Sequence, residues 1–481
     1  MASDQCLVAS GGNSRFSLLV PEGSSEVAHF AASELQRYLK QMTGAPLPLV
    51  GEDYRGPVLV VGDGEPEPGW QLAPDRNTVT VMANRIMVGG GGRQGVLRAV
   101  YRLLELAGCR FILPGPEGEF VPDMPELSLP IGEIEENPEF LLRGLWEDTH
   151  HVHFDRPAER KRHLDSERAW LDWMGKRGLN QFLSARTPEV CCELAGEMRS
   201  RGIAHEVGGH IIPTLLPRAL FEQHPEYFRA DKQGNRTPTG NLCVSSPEAL
   251  QLVAKAACEH VKQFPLANVL HLWGEDVMGG SWCFCPDCSS LSPSEQYLRV
   301  VNTVAQELDN QQLALAVDYL AYHDTLKPDF NSVPSSRTLL AYAPRERSYG
   351  ESLAGECGEP NQGYVQALEG LLPSFEGRAC LLEYYGDAIL FGSQVIPLTS
   401  VIVEDAEVYR RMAITGLYCL VFGEYSSIAY GLNLYAFSRC LWKVSSAPEE
   451  LVKDYVLGLY GEPSEQLEAF YFGLEDRKSV V

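Results

Sequence analysis

The residues best suited to chemistry fall between Val269 and Cys288, in the stretch VLHLWGEDVMGGSWCFCPDC. An apolar run (Val269, Leu270, Leu272, Trp273) stops at Gly274, and two carboxylates, Glu275 and Asp276, follow at once. Gly279 and Gly280 then make a turn, Trp282 reads as exposed, and Cys283, Cys285 and Cys288 close the segment. A short buried strand that ends in acids and aromatics is how a barrel enzyme presents acid/base groups to a sugar. The three cysteines have metal-like spacing, but the second Cys-x-x-Cys of the usual zinc knuckle is missing. A structural zinc bracing the loop of Trp282 therefore needs a fourth ligand, Cys243 or a histidine. The alternative is a compact loop of reduced thiols.

Those residues need elements to hold them. From Pro138 onward short apolar strands alternate with helical patterns. Strand slots fall at Phe140 to Trp146, Leu179 to Phe182, Ile203 to Val207 and Val269 to Trp273. Four more fall at Leu313 to Tyr319, Thr338 to Tyr342, Ala379 to Tyr384 and Gly416 to Phe422. Eight such slots suit an α/β chain folded as a (β/α)8 TIM-like barrel with insertions, whose chemistry gathers where the strands end. The expected organisation is a small α/β domain over residues 1–135, the barrel over 136–445 and a helical tail over 446–481 packing on it. The strand tips offer Arg143, Trp146, Glu147 and Asp148; His210; Glu275 and Asp276; Asp318, Tyr319, Tyr322 and His323. They continue with Tyr342 and Arg345; Glu383, Tyr384, Tyr385 and Asp387; and Glu424 and Tyr425. Aromatic faces cover the C–H faces of sugar rings and acids bond their hydroxyls. On that basis Arg143, Trp146, Glu147, His210, Trp273, Trp282, Tyr319, Tyr322, Tyr385 and Glu424 are the expected substrate contacts. Glu275, Asp276 and Glu383 are the expected catalytic groups.

Composition narrows the function classes. Lys plus Arg is 40 against 64 Asp plus Glu, a formal charge of −24. Such acidity repels phosphate and argues against nucleic-acid and anionic-membrane partners. No apolar run approaches the ~20 residues of a spanning helix, and MASDQCLVAS lacks signal-peptide character. The chain as written reads as cytoplasmic, or as secreted or periplasmic if a leader has been removed. The 13 cysteines are odd in number and lie mostly in apolar contexts, as reduced core thiols do. Gly90-x-Gly92-x-x-Gly95 matches a dinucleotide fingerprint literally. Its preceding strand looks like half of a hairpin and no acid stands at the next strand tip, so it reads as a tight strand-to-helix turn. No obligatory cofactor is expected, and oligomeric state is left open.

Three stretches carry a resemblance. AGCRFILPGPEGEFVP with ENPEFLLRGLW resembles the junction between the N-terminal domain and first barrel strand of family 67 α-glucuronidases and family 20 hexosaminidases. GGHIIPTLLP, HPEYFRADKQGNRTPTGNLCVSSPE and GED...WCFCPDC resemble the barrel called domain of unknown function 4838, a group that includes glycoside hydrolase family 163. The resemblance implies a carbohydrate-active barrel, of endo-β-N-acetylglucosaminidase type. Many relatives place Asn-Asp where this chain has Glu275-Asp276, which makes Asp276 a rival to Glu275 as the acid.

Two mechanisms are compatible with these residues. Retaining glycosidases hold two carboxyls ~5–5.5 Å apart and inverting ones ~6.5–9.5 Å apart; Glu275 or Asp276 facing Glu383 across the barrel would suit the retaining version. Alternatively Glu275 and Asp276 act together, one orienting a substrate 2-acetamido group as internal nucleophile and the other protonating the leaving oxygen. A bland role for Glu383, salt-bridged to an arginine such as Arg143, competes with both. Other readings are an α-glucuronidase-like glycosidase or a non-catalytic glycan-binding barrel. A metal-dependent amidohydrolase is a further alternative, built on His150, His151 and His153 with His271 and His323.

Overall fold

The computed structural model describes residues 5–63, 74–147, 156–184, 188–279, 281–355, 360–444, 446–461 and 464–476. The N-terminal portion is a five-stranded mixed sheet in the order Gly132–Glu136, Asn77–Met82, Arg85–Gly90, Val58–Asp63, Ser17–Leu19. Helices α1 (Glu26–Thr43) and α2 (Gly95–Leu106) pack with it. Ser25 caps α1 by accepting the Ala28 N–H, and Gly44 ends it in the left-handed region, as its sequence pattern demands. Asn77–Met82 and Arg85–Gly90 form the expected antiparallel hairpin. A Cβ on Gly90 or Gly95 would meet backbone at 2.2 Å. The glycine-rich turn is therefore a close-packing device between hairpin and helix.

Eight parallel strands then close into a barrel. They are β1 (Leu142–Glu147), β2 (Gln181–Ser184), β3 (Ala204–Gly209) and β4 (Ala267–Leu272). The other four are β5 (Ala316–Ala321), β6 (Thr338–Tyr342), β7 (Ala379–Glu383) and β8 (Gly416–Val421). Pairing of β8 with β1 completes the ring. All eight strands are almost wholly buried, because the barrel covers one face of each and the helices cover the other. The helices are α3 (Pro157–Arg177), α4 (Pro188–Ser200), α5 (Pro247–Val261), α6 (Pro293–Asn310), α7 (Asn361–Phe375) and α8 (Thr399–Arg411). Between β5 and β6 the chain makes only a 3-10 turn, His323–Thr325. Two short helices, Glu424–Ala429 and Gly431–Cys440, follow β8, and Pro448–Tyr460 and Glu465–Glu475 come after them.

The N-terminal portion is bolted to the base of the barrel by polar groups. Asp75 pairs with Arg143 and accepts from Asn180 Nδ2 at 2.8 Å and from the Gln94 N–H at 2.9 Å. Gln94 Nε2 in turn donates to the carbonyls of Leu179 and Arg201. Arg177 of α3 reaches Glu105 of α2 at 3.0 Å. Each group is buried and has its partner across the junction, which is what a buried charge requires.

Candidate active site

Side chains on a strand alternate between the barrel interior and the surrounding helices. This parity decides which candidates reach the mouth. On β4 the interior set is His271, followed just past the strand by Trp273. The His271 ring lies between two buried carboxylates, with Nε2 2.8 Å from Glu206 on β3 and Nδ1 2.7 Å from Asp318 on β5. Tyr418 on β8 donates to Glu206 at 2.6 Å, and Trp273 Nε1–H donates to Asp318 at 2.6 Å. Burial alone would depress the imidazole, but Asp318 and then Glu206 overcome it and push its pKa up to about 10. The barrel centre is therefore an imidazolium clamped by two acids, with the Trp273 indole as its roof.

The mouth is built on that roof. The edge of Trp273 meets Trp146 from β1 at 5.0 Å and His210 beyond β3 at 5.1 Å, and Trp146 meets Tyr384 beyond β7 at 6.2 Å. Arg345, after β6, stacks over Tyr384 and is held by Asp387 at 3.1 Å. His210 Nδ1 is 2.5 Å from the Gly274 carbonyl. A carbonyl only accepts, so Nδ1 carries the proton and Nε2 is left facing the site. Asp276 stands 4.0 Å from that Nε2 and 3.9 Å from Nε2 of His323. His323 itself has φ of 48°, a left-handed residue at the first position of the 3-10 turn. Glu275 is half-buried and its N–H donates to Asn241 at 2.9 Å. It borders one cavity with His210, Trp282, Tyr322 and His323, and a second with Arg218 and Pro213. The arrangement offers two adjacent carboxylates, one recessed and one exposed, above an aromatic floor.

Residues 113–471 match the family described as domain of unknown function (DUF4838). The chain belongs to that family. No protein of curated function matches its sequence. Among solved structures the DUF4838 chain is similar to a Flavobacterium johnsoniae chitobiase of glycoside hydrolase family 20, at 14% identity and TM-score 0.60, covering 99% of this chain and 72% of that one. It is similar to a mutant Streptomyces plicatus β-hexosaminidase in complex with its product GlcNAc, at 13% identity and TM-score 0.56, covering 99% and 93%. A family 115 4-O-methyl-α-glucuronidase with specificity for decorated arabinogalactans aligns at 11% identity and TM-score 0.58, covering 99% and 61%. At these identities the likeness is one of fold.

Several expected site residues lie elsewhere in the DUF4838 barrel. Glu383 has the wrong parity for the mouth. It points outward against α8, fully buried, 3.0 Å from Arg347 and bonded to Tyr409, with Tyr349 at 3.4 Å. Arg347 also pairs with Asp405 at 2.6 Å, so one guanidinium serves two buried acids. The pairing of Glu275 or Asp276 with Glu383 is thereby corrected, and the partner of Glu383 is Arg347 rather than Arg143. Arg143 sits at the base of β1, donating to Asp75 and to the carbonyls of Gly178, Phe140 and Leu141. Glu147 faces His163 and Glu167 of α3, behind β1. Tyr319 faces outward too, packed on Tyr297 and Phe375 with its hydroxyl on the Thr325 carbonyl. Tyr385 bonds Asp405 behind the wall, and the mouth position belongs to its neighbour Tyr384. Trp282 is buried at 4% exposure, not exposed, but it does line the cavity beside Glu275. The Glu424 side chain and His150, His151 and His153 lie outside the described residues.

The structure therefore brings together Trp146, His210, Trp273, Glu275, Asp276, Trp282 and Tyr322 from the expected set. It adds Tyr384, Arg345 and His323, which the strand-tip reading placed nearby without choosing them. The buried Glu206 and Asp318 were missed as partners of His271. Their signal was a lone acid inside an otherwise apolar strand, in IAHEVGG and AVDYL.

Proposed function

We propose that this protein is a glycoside hydrolase acting on β-N-acetylglucosaminide-type glycans, through the adjacent acids Glu275 and Asp276. The observation carrying this reading is their emergence from β4 onto a mouth walled by Trp146, His210, Tyr322 and Tyr384. The fold shared with a family 20 chitobiase and with a β-hexosaminidase in complex with GlcNAc supports the substrate class. With Glu383 outside the mouth, the substrate's own 2-acetamido oxygen is the nucleophile that this site would use. In this reading exposed Asp276 accepts the acetamido N–H and turns its carbonyl toward the anomeric carbon. Half-buried Glu275 protonates the leaving oxygen and later takes the proton from water. The recessed position, bordering the cavity lined by Trp282 and Tyr322, suits Glu275 to the acid role.

Glu275→Gln is expected to lower turnover of a natural glycan by about 10²–10⁴-fold, the usual worth of general acid catalysis. Aryl glycosides with a good leaving group, which needs no protonation, should be cleaved far less impaired. Asp276→Asn should be poor on both. Equal loss on both substrate types in Glu275→Gln would remove the acid role, and wild-type rates in both variants would remove the site.

A second reading has one observation behind it. Arg345, partly exposed at the mouth, is the cation that a uronic acid would seek, and an α-glucuronidase-like specificity follows if it does. A panel of N-acetylglucosaminides and uronosides separates the two readings directly. The amidohydrolase reading is not proposed. Its expected ligand His271 has both ring nitrogens committed to carboxylates.

A further inference from the structure

We infer that Cys243, Cys283, Cys285 and Cys288 form a structural zinc site that fastens two active-site loops together. Cys243 belongs to the long insertion between β3 and α5, and the other three to the loop after β4. All four thiols are buried, and their Sγ atoms lie within 4.8 Å of one another. Cys243 Sγ is 3.7 Å from Cys285 Sγ and 3.9 Å from Cys288 Sγ. Four sulfurs ~2.3 Å from a tetrahedral zinc stand about 3.8 Å apart, whereas a disulfide would place two of them at ~2.05 Å. Hydrogen-bond donors also converge on the cluster. The N–H groups of Ala230 and Cys285 point at Cys283 Sγ from 3.3 and 3.5 Å, and Arg236 donates to it from 3.8 Å. Those donors offset part of the negative charge that four thiolates leave on a divalent ion. A closed, all-cysteine, solvent-excluded site is structural in type, with no open position for a substrate or water.

Its place in the fold gives it a task. Two residues before Cys243, Asn241 accepts the Glu275 N–H at 2.9 Å, and its own N–H donates to the Ser281 carbonyl at 3.0 Å. Two residues after Ser281 comes Cys283. The ion would thus lock the strap that sets the backbone of Glu275, whatever reaction Glu275 serves. Binding displaces the thiol protons to solvent as zinc enters, with no change of oxidation state.

The test is metal analysis of the untagged full-length protein, purified without chelators. About one zinc per chain is expected, released by a mercurial thiol reagent and quantified with a chromogenic chelator. Cobalt in place of zinc should give the sulfur-to-cobalt charge-transfer absorption of a tetrahedral thiolate site. Cys288→Ser should lose most of the zinc. If that variant fails to fold, the wild-type stoichiometry and cobalt spectrum still decide. Folded wild-type protein that takes up no zinc from excess overturns the inference. So does a disulfide among these cysteines in peptide mapping, or iron as the resident metal. None of these readouts depends on glycan hydrolysis, so the zinc site and the proposed activity fail separately.

Discussion

Glu383 has the attributes usually sought in a catalytic acid, yet its contacts give it another role. Burial, countered by Arg347 and reinforced by Asp405, pushes its carboxyl up to about 7. A perturbed acid near neutrality often marks an active site; here the cause is burial behind the barrel wall, only partly offset by a guanidinium that Glu383 shares with Asp405. Glu383→Gln, which mimics the neutral form, is expected to keep glycan turnover within a few-fold of wild type and to fold normally. Loss of 10²-fold or more, a catalytic-sized effect, would return Glu383 to the reaction. His271 titrates in the opposite sense. Its folded pKa of about 10 lies above the ordinary ~6.5. Its stabilising contribution is therefore complete below about pH 6.5 and is lost as pH rises through about 10. Chemical denaturation between pH 7 and 10 should show stability falling by up to roughly 1.4 kcal/mol per pH unit. A His271→Gln variant should lose that slope, and an unchanged slope would mean that the clamped imidazolium is not its source.

At the scale of elements, the approach of β3 to β4 sets the geometry of the site. Gly208 has φ of 112°, and a Cβ there would lie 2.1 Å from the His271 carbonyl oxygen. Gly208→Ala therefore combines a backbone collision with a conformation foreign to L-residues, and more than ~1–3 kcal/mol of stability should go with it. Thermal unfolding measures this, and a variant as stable as wild type would show that the strands can part at no cost. The positions of these strands were readable beforehand because buried parallel strands are short apolar runs between helical patterns; Thr338–Tyr342 matched to the residue. Which side chain of each pair faces the mouth was not readable. That choice rests on a single residue of parity, and strand ends read from sequence are uncertain by more than that. Hence the sequence points to Tyr385 in place of Tyr384, to Tyr319 as well as Tyr322, and to Glu383 as a mouth residue. Arg143 failed for a different reason: it opens its strand rather than ending it, so it lies at the base. Glu275 and Asp276 escaped the ambiguity by lying past the last paired residue, where both sides of the chain meet the cavity.

At the scale of the whole molecule, the N-terminal portion and the barrel share a buried charge junction centred on Asp75. Removing it leaves Arg143 buried and without its carboxylate, a loss worth about 3–5 kcal/mol in comparable settings. Asp75→Ala should shift urea unfolding by that order while leaving the turnover of folded protein near wild type, because the junction lies at the opposite end of the strands from Glu275. A drop in turnover without loss of stability would mean that the junction communicates with the mouth. Among the described residues no helix is long and apolar enough to cross a membrane. With a formal charge of −24, the surface field disfavours polyanionic partners at any distance within the Debye length. A mouth arginine held against Asp387 is then a local exception.

The two neighbours at the end of β7 carry a consequence for how such barrels diversify. Glu383 looks outward and Tyr384 inward, so a slip of one residue in the pairing of that strand would exchange them. An acid would then stand at the mouth and a phenol behind the wall. On the substrate-assisted mechanism proposed above, a lineage that acquired such a slip would own its nucleophile and be freed from sugars that bring an amide of their own. Substrate range in this architecture can turn on the phase of a single strand, with every other element left in place.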